Sequence, residues 1–243
     1  MSMTLLQGDC LEIMPTIKSG SIDMILCDLP YGKTQNKWDV IIPLQPLWEQ
    51  YERVIKDNGV IVLTAQQPFT SMLIMSNPEL FKYSMVWDKR LGTGFLNANK
   101  MPLSVHEDIL IFSKASNGNY TYNPQMRKGK MRKKATGHMS SNYGKFERLD
   151  KVNDIYHPTT IIDVYAKQEG KEHPTQKPIE LFLYLIETFS NVGDTILDNC
   201  LGSGTTLVAA LSCGRKCIGI EKETEYVELA KRRTAIIQPV LNL

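Results

Sequence analysis

The segment from Ile196 to Glu221 constrains the fold of this chain most, because it reads as strand, glycine-rich turn, helix and second strand. Gly202-Ser203-Gly204-Thr205-Thr206 opens the helix, and the two strands end at Asp198 and Glu221. This is the layout of a nucleoside-binding βαβ unit, in which the turn lets the backbone approach the ligand and the second acid can reach ribose hydroxyls. The segment predicts a parallel sheet with a nucleoside site at its carboxyl edge.

The glycine spacing indicates which kind of nucleoside fits. The third glycine of the dinucleotide pattern is missing, since Leu207 stands in its place, and no Walker lysine follows the turn. A cofactor that lacks a pyrophosphate fits better, and S-adenosylmethionine is the candidate. The alternative is a glycine turn that only tightens a junction between a strand and a helix.

A second constellation, Cys27-Asp28-Leu29-Pro30-Tyr31-Gly32, follows a predicted buried strand over residues 22–27. Asp28 can accept hydrogen bonds from an amino group, Pro30 stiffens the turn, and Tyr31 offers a ring face for stacking. These three properties predict a pocket for a nucleobase. The plainer interpretation is an acid that forms a turn and an aromatic residue of the core.

The rest of the chain alternates between short strands and amphipathic helices, which predicts an α/β fold with a doubly wound, mostly parallel sheet. Asn58-Gly59 is predicted to end the helix before the third strand. The alternation stops between residues 115 and 171, a stretch too long for an ordinary connection. We therefore predict a catalytic and cofactor-binding domain over residues 1–114 and 172–243, with an inserted target-recognition region over residues 115–171. Further strands are predicted at 4–7, 60–65, 81–87 and 109–113, and helices at 10–17, 44–55, 68–75, 179–189, 205–211 and 226–237.

Composition narrows the class of protein. Hydrophobic residues make up 42% of the 243 residues and charged residues 22%, which are ordinary values for a globular domain. No apolar run approaches the roughly 20 residues of a membrane-spanning helix, so we expect a cytoplasmic protein with no membrane partner. The five cysteines form no Cys-x-x-Cys pair, which argues against a zinc site, and no metal is expected.

Positive charge is concentrated in the predicted insertion. Residues 114–148 contain nine Lys or Arg and a single acid, whereas the whole chain has a net charge of only +2. Such a segment is typical of phosphate contacts, although a solvated loop is the common alternative. The candidates for phosphate contacts are Arg127, Lys128, Lys130, Arg132, Lys133 and Lys134. Candidates for contacts to base edges are Tyr120, Tyr122, Asn123, His138 and Asn142.

Taken together, four ordered stretches resemble the DNA amino-methyltransferases that methylate exocyclic nitrogens of adenine or cytosine, in the beta arrangement of that family. The resemblance covers nearly the whole chain outside roughly residues 115–170, and it implies a Rossmann-like methyltransferase fold, S-adenosylmethionine and double-stranded DNA. A homodimer and a partner restriction endonuclease are left open. The stretches are Gly8-Asp9-Cys10, Asp28-Leu29-Pro30-Tyr31, residues 173–178 (His-Pro-Thr-Gln-Lys-Pro) and residues 198–206.

The resemblance also implies roles for single residues of the cofactor site. Glu221 is expected to hold the ribose, and Asp9 the adenine amino group. Gly202, Gly204 and Thr205 are expected at the methionine end, and Thr175 and Lys177 near the methionine carboxylate. Asp198 and Ser203 of the same turn are further candidates for cofactor binding. The alternative for Lys177 is a solvated residue at the start of a helix.

For catalysis, the resemblance implies that Asp28 and the Leu29 carbonyl accept the two N–H bonds of the target amine. Leu29 departs from the usual Asp-Pro-Pro-Tyr motif, which keeps the carbonyl but removes one rigid residue. An acid at position 28 favours adenine N6, because members that act on cytosine N4 usually carry serine there. The alternatives are a cytosine-N4 enzyme, an RNA adenine methyltransferase and a non-catalytic DNA-binding module.

Overall fold

The computed structural model describes residues 2–34, 36, 39–116, 118–132, 153–166 and 176–235. The chain forms two compact units, one of Met1–Asn123 with Thr160–Leu243 and a smaller one of Pro124–Thr159. The smaller unit lies within the predicted insertion of residues 115–171, whose role in target recognition stays a prediction. None of the described helices is long and apolar enough to cross a membrane.

The larger unit is built on an eight-stranded sheet with the order β1-β10-β9-β2-β3-β5-β4-β8. Strand β5 runs antiparallel to both of its neighbours, and the other pairings are parallel. This arrangement confirms the predicted α/β fold with a mostly parallel sheet. The strands are β1 (Met3–Gln7), β2 (Ile22–Cys27), β3 (Ile55–Ala65), β4 (Phe81–Thr93), β5 (Ser104–Phe112), β8 (Ile161–Asp163), β9 (Thr195–Asp198) and β10 (Lys216–Glu221).

Helices cover both faces of this sheet. Along β2, Ile25 and Cys27 point into one hydrophobic core while Met24 and Leu26 point into the other. Burial on both faces explains why β2 reads as a nearly continuous apolar run. The first core contains side chains of α1 (Cys10–Ile13), α2 (Leu44–Val54) and α3 (Phe69–Ser76), and the second those of α4 (Ile179–Phe189), α5 (Thr205–Ser212) and α6 (Thr224–Ala235). Short 3-10 helices span Met14–Thr16 and Phe95–Asn97.

The prediction that Asn58-Gly59 ends the second helix is wrong. Helix α2 ends at Val54, and β3 begins at the next residue, so Gly59 lies inside the strand. A Cβ atom at Gly59 would lie 2.7 Å from the Ile55 side chain and 2.9 Å from the Asp23 carbonyl oxygen. The glycine is therefore required by close strand packing, at an irregularity in the pairing of β2 with β3.

The strand order places a topological switch point at the centre of the sheet. The neighbours β2 and β9 continue in opposite directions, since β2 pairs onward with β3 and β9 pairs onward with β10. Crevices at the carboxyl ends of such strands are the usual ligand sites of doubly wound sheets. Asp28 follows β2 and Asp198 ends β9, so the two predicted constellations meet at this crevice.

The smaller unit contains a two-stranded antiparallel sheet formed by β6 (Arg127–Arg132) and β7 (Asn153–Tyr156). Lys128 pairs with Ile155 across the two strands, and the Tyr156 hydroxyl donates to the Lys130 carbonyl at 2.5 Å. The side chains of Arg127, Lys128 and Lys130 are exposed. These cations lie on a strand whose residues 127–130 are all exposed, so they are accessible to a partner.

Candidate active site

A cavity of about 770 Å³ lies at the carboxyl ends of the central strands. Both predicted constellations contribute residues to its lining. Among the described catalytic and cofactor-binding candidates, Gly204 lies outside the lining, because its Cα faces Ala230 of α6. Thr175 lies outside the described residues. The predicted site residues in the lining are Asp9, Asp28, Leu29, Pro30, Tyr31, Lys177, Asp198, Gly202, Ser203, Thr205 and Glu221.

The Asp28 carboxylate is held on its first oxygen by two hydroxyl groups. The Thr64 hydroxyl at the end of β3 donates to Asp28 Oδ1, and the Tyr31 hydroxyl lies 2.7 Å from the same oxygen. Burial, followed by the charge of Asp28, raises the pKa of Tyr31, so this phenol stays a hydrogen-bond donor. Sequence reasoning missed Thr64, because its contact with Asp28 spans 36 residues of the chain.

The second oxygen of Asp28 pairs with Lys177. The Lys177 Nζ lies 3.0 Å from Asp28 Oδ2 and 2.9 Å from Glu107 Oε2. Lys177 is only 8% exposed, so the alternative of a solvated residue at a helix start is wrong. Burial lowers the pKa of Lys177, but the charges of Asp28 and Glu107 outweigh it and raise the pKa, which keeps the ammonium charged.

Glu107 extends this buried network of charges. Burial alone would raise the pKa of Glu107, but Lys177, and after it Lys89, brings the pKa below the usual value. The Lys89 Nζ lies 3.5 Å from Glu107 Oε1. Positive and negative groups thus alternate from Lys89 through Glu107 and Lys177 to Asp28, so the three buried charges of this network each have a partner of opposite sign. Glu107 reaches the site because β5 is antiparallel, which brings its amino end to the carboxyl edge of the sheet.

The backbone after Tyr31 is held by Asp39. Asp39 Oδ1 accepts from the Gly32 N–H at 2.9 Å, and Oδ2 accepts from the N–H groups of Lys33 and Thr34 at 2.9 and 2.6 Å. Burial opposes ionisation of Asp39, but hydrogen bonds from Thr34, Gly32 and Lys33 lower its pKa overall. An ionised Asp39 therefore fixes the backbone that follows the turn of residues 28–31. In the sequence, the signal for this contact is Asp39 itself, an acid seven residues after Gly32.

Leu29 anchors the turn of residues 28–31 through its side chain. The side chain is buried in the first core, in the same cluster as Cys27 and Leu63. Burial of a leucine side chain contributes roughly 1.5 to 3 kcal/mol, which offsets rigidity lost without a proline at this position. On the other side of the turn, the Tyr31 ring lies 5.4 Å from the Phe69 ring between centroids.

On the cofactor side, Glu221 organises the glycine-rich turn. Its Oε2 accepts from the Gly202 N–H at 2.7 Å, and its Oε1 accepts from the Glu223 N–H at 2.8 Å. Burial raises the pKa of Glu221. Asp9 follows the neighbouring strand β1, whose Gln7 pairs with Glu221, and its carboxylate caps α1 by accepting from the Leu11 N–H at 3.0 Å. Both acids retain lone pairs that can accept hydrogen bonds from a nucleoside.

Asp198 also stabilises the glycine-rich turn. Its Oδ1 accepts from the Cys200 N–H at 3.1 Å, and its Oδ2 accepts from the Thr206 hydroxyl. Asp198 is buried, and burial raises its pKa to about 7. Hydrogen bonds from both ends of residues 200–206 to one carboxylate fix the shape of the turn.

Arg233 braces the turn from α6, and sequence reasoning missed it. Its Nη1 lies 2.6 Å from the Ser203 carbonyl oxygen and 2.9 Å from the Ser203 hydroxyl. The same nitrogen lies 3.3 Å from the Thr205 hydroxyl. A guanidinium is permanently charged and donates in several directions, so it can hold a backbone carbonyl and two hydroxyl groups at once.

The structure places the candidates from the predicted insertion in different settings. The backbone N–H of Asn123 donates to the Thr188 carbonyl at 2.7 Å, and its side-chain amide donates to the Ser190 carbonyl at 3.0 Å, so Asn123 anchors the chain to the end of α4. The Tyr122 ring packs beside Phe189 with centroids 6.1 Å apart. For Arg132 the structure describes only the backbone strand. Lys133, Lys134, His138 and Asn142 lie outside the described residues.

The fold and the site define a class of protein. The sheet is doubly wound, and its switch point lies between an acidic turn that contains proline and a glycine-rich nucleoside turn. This is the arrangement of amino methyltransferases that use S-adenosylmethionine. The residues present fit this cofactor, since the cavity holds buried carboxylates for a nucleoside and lies within the usual 300 to 1,000 Å³ of ligand pockets. Among the described residues, no group of three or more His, Cys, Asp or Glu is placed to hold a metal ion.

Comparison with known proteins identifies the family. The family model described as DNA methylase matches residues 22–232, and the chain belongs to this family of DNA amino-methyltransferases, which depend on S-adenosylmethionine. The Type II methyltransferase M.HinfI of Haemophilus influenzae is 29% identical over 97% of this chain and 69% of its own length. The DNA adenine methyltransferase YhdJ of Escherichia coli (strain K12) is 31% identical over 95% of this chain and 82% of its own length.

Solved structures agree with the fold. The M1.HpyAVI complex with S-adenosylmethionine superimposes with a TM-score of 0.65 at 25% identity, and the match covers 95% of this chain and 99% of that one. The cytosine-N4-specific PvuII DNA methyltransferase has a TM-score of 0.68 at 15% identity and shows likeness in fold alone.

Proposed function

We propose that this protein is a site-specific DNA methyltransferase that transfers a methyl group from S-adenosylmethionine to the exocyclic N6 of a flipped adenine. The observation that carries this proposal is the setting of Asp28. Its carboxylate is restrained by Thr64, Tyr31 and Lys177, yet the side chain keeps 23% of its surface accessible and lines the cavity. A restrained and reachable acceptor is what orientation of an amino group requires.

The chemistry follows from the weakness of the nucleophile. The lone pair of an exocyclic amine is delocalised into the ring, so the enzyme has to orient it. Asp28 and the Leu29 carbonyl accept the two N–H bonds, which turns the lone pair toward the cofactor side of the cavity. The bound cofactor supplies an electrophilic methyl group on a sulfonium. Asp28 is also the nearest base for the proton that the amine loses after transfer.

The remaining predicted residues take the roles that the family resemblance implies. Glu221 and Asp9 hold the ribose and the adenine amino group of the cofactor, and Gly202, Ser203 and Thr205 surround its methionine end. Lys177 and Thr175 are assigned to the methionine carboxylate. Because Lys177 also contacts Asp28, it joins the cofactor end of the cavity to the catalytic turn.

The target base enters from duplex DNA. Flipping costs on the order of a few kcal/mol, and stacking on Tyr31 returns about 1 to 3 kcal/mol. Residues 115–171, with Arg127, Lys128, Lys130, Arg132, Lys133 and Lys134, serve as the target-recognition region and contact phosphates. Adenine is favoured over cytosine because position 28 carries an acid, whereas the members of the resembled family that act on cytosine N4 usually carry serine there.

The test is to incubate the protein with methyl-labelled S-adenosylmethionine and either duplex DNA or RNA of the same sequence. The nucleosides released by digestion are then identified by mass spectrometry. We expect label in N6-methyldeoxyadenosine from duplex DNA. Label in N4-methyldeoxycytidine, or in RNA alone, would contradict the proposal.

A matched pair of variants assigns the catalytic turn. Asp28→Ala should lower the transfer rate by at least about 100-fold while cofactor affinity stays within a few-fold of the wild type. Lys18→Ala, at the opposite edge of the sheet, is the control and should leave both quantities unchanged. An active Asp28→Ala variant would refute the assignment of Asp28.

A further inference from the structure

Strands β4 and β5 continue beyond the body of the sheet as a hairpin beside the cavity. Alternate residues of β4, namely Trp87, Lys89, Leu91 and Thr93, line the cavity. Side chains alternate between the two faces of a strand, so one face of this hairpin forms a wall of the site. Thr93 still pairs with Ser104 of β5 at the far end of the wall.

The tip of this hairpin carries two adjacent apolar side chains that are exposed to solvent. Gly94, at a left-handed φ of 88°, turns the chain from β4 into the 3-10 helix Phe95–Asn97. Phe95 is 76% exposed and Leu96 is 85% exposed. Two residues span at most about 7 Å, so Phe95 lies close to Thr93 and to the rim of the cavity. A phenylalanine and a leucine both turned out to water mark a contact surface for a partner.

The charge around the tip indicates what kind of partner it meets. Residues 89–106 contain Lys89, Arg90 and Lys100 and no acid. Lys89 pairs with Glu107 and Arg90 with Asp163, whereas Lys100 is exposed and pairs with no carboxylate in the described part of the chain. An apolar tip flanked by a cation and free of acids complements a stack of bases lined by phosphates.

We propose that Phe95 and Leu96 form a wedge that enters the base stack of duplex DNA at the position that the target base leaves. The inference rests on the proposed function, because only a duplex substrate has to give up a stacked base. Apolar side chains that insert between base steps stabilise an unstacked duplex. The wedge fills the gap behind the flipped base, and the cavity wall of the same strand receives that base.

The experiment compares two substrates that differ in the cost of flipping. The first is a duplex that contains the target base, whose position is mapped beforehand by sequencing DNA that the wild type has methylated, and the second has an abasic residue opposite the target base. An unpaired base is easier to extrude, so it depends less on a wedge. The variants are Phe95→Ala with Leu96→Ala, Phe95→Leu, and the control Val192→Ala, which removes an equally exposed side chain (76%) before β9.

We expect the double alanine variant to lose at least about tenfold in kcat/KM on the intact duplex and to stay within about twofold of the wild type on the abasic duplex. Phe95→Leu and Val192→Ala should match the wild type on both substrates. The thermal unfolding temperature of the double variant should not change, because both side chains are exposed.

Three outcomes would overturn the wedge. Equal losses of kcat/KM on both substrates would show that the tip does not act in base flipping. No loss on either substrate would show that the tip has no role in methyl transfer. A shift from dimer to monomer in sedimentation, with equal losses on both substrates, would assign the tip to a second copy of this chain. If the wild type methylates neither substrate, the proposed function fails and the wedge with it, whereas wild-type transfer with unaffected variants overturns the wedge alone.

Discussion

At the residue scale, the Asp28 carboxylate is held by neighbours distant in the sequence. Asp28 and Tyr31 are three positions apart, and their hydrogen bond is local. The other partners of Asp28 are Thr64 and Lys177, which arrive from β3 and from the segment before α4. Both carboxylate oxygens are therefore restrained before any substrate binds, which lowers the entropy lost in orienting the target amine.

Replacing Thr64 tests this restraint. Thr64→Val keeps the shape of the side chain and removes the hydroxyl that donates to Asp28 Oδ1. A hydrogen bond to a charged group contributes roughly 1.5 to 3 kcal/mol, so we expect kcat to fall by about tenfold or more while KM for DNA changes little. Thr64→Ser restores the donor and should recover most of the rate. Equal rates for the Val and Ser variants in steady-state methylation assays would show that the hydroxyl has no role in catalysis.

Asp198 predicts a dependence of stability on pH. Burial raises its pKa to about 7, above the value of about 3.9 in an unfolded chain. The native state therefore favours the protonated acid, and the stability that it contributes below about pH 4 is lost as the pH rises through about 7. Asp198→Asn stays neutral and keeps an acceptor oxygen. Its free energy of unfolding, measured by urea titration, should fall less than that of the wild type over this range. Parallel pH profiles for the two proteins would contradict the assignment.

At the element scale, the turn between β9 and α5 depends on packing as well as on ligand approach. Gly204 has a φ of +81°, and a Cβ atom there would lie 2.9 Å from the Cβ of Ala230 on α6. The glycine thus lets α6 lie against the start of α5, where Arg233 also holds Ser203. The turn, the two helices and the cavity lining form one packed element.

Gly204→Ala and Gly193→Ala separate backbone strain from crowding. Gly193 has a similar φ of +88°, but a Cβ atom there meets nothing within 4 Å. We expect Gly193→Ala to lower the free energy of unfolding by about 1 kcal/mol, the usual cost of a left-handed conformation. Gly204→Ala carries that cost and a steric clash, so it should lose more stability and also weaken cofactor binding in calorimetry. Equal effects of the two substitutions would show that α6 simply moves away.

At the scale of the whole molecule, the charges of the two units lie in different settings. Compensated charges surround the cavity of the larger unit, whereas the exposed cations Lys128 and Lys130 lie on β6 of the smaller unit. Phosphate contacts give DNA affinity without sequence preference, and their number sets the salt dependence of binding. The salt dependence of DNA binding therefore tests whether the lysines of β6 contact phosphates.

Lys128→Ala with Lys130→Ala should reduce the dependence of DNA affinity on salt. Each lost phosphate contact changes the slope of log K against log salt by about 0.9, so the double variant should lose about 1.8. Lys18→Ala with Lys216→Ala is the matched control, because both of these exposed lysines lie at the amino ends of strands, away from the cavity. Identical slopes for the two pairs in fluorescence anisotropy titrations would refute a role for β6 in phosphate binding.

The sequence by itself determined most elements of the larger unit and the acids at the ends of their strands. Strand β2 was predicted with its observed bounds, Ile22–Cys27, and Asp28 and Asp198 line the same cavity. These features depend on local periodicity and on the rule that parallel strands end at one edge. A short segment predicts these features because the residue pattern that produces them lies within that segment.

Only the tertiary structure decided how the acids are held. Thr64, Glu107 and Arg233 lie far along the chain from the groups they contact, and Glu107 reaches the site because β5 enters the sheet antiparallel. The same holds for Gly59, which ends no helix and instead allows β3 to approach β2. Such contacts depend on strand order and packing, which a single segment does not encode, since they form only when separate segments are buried together.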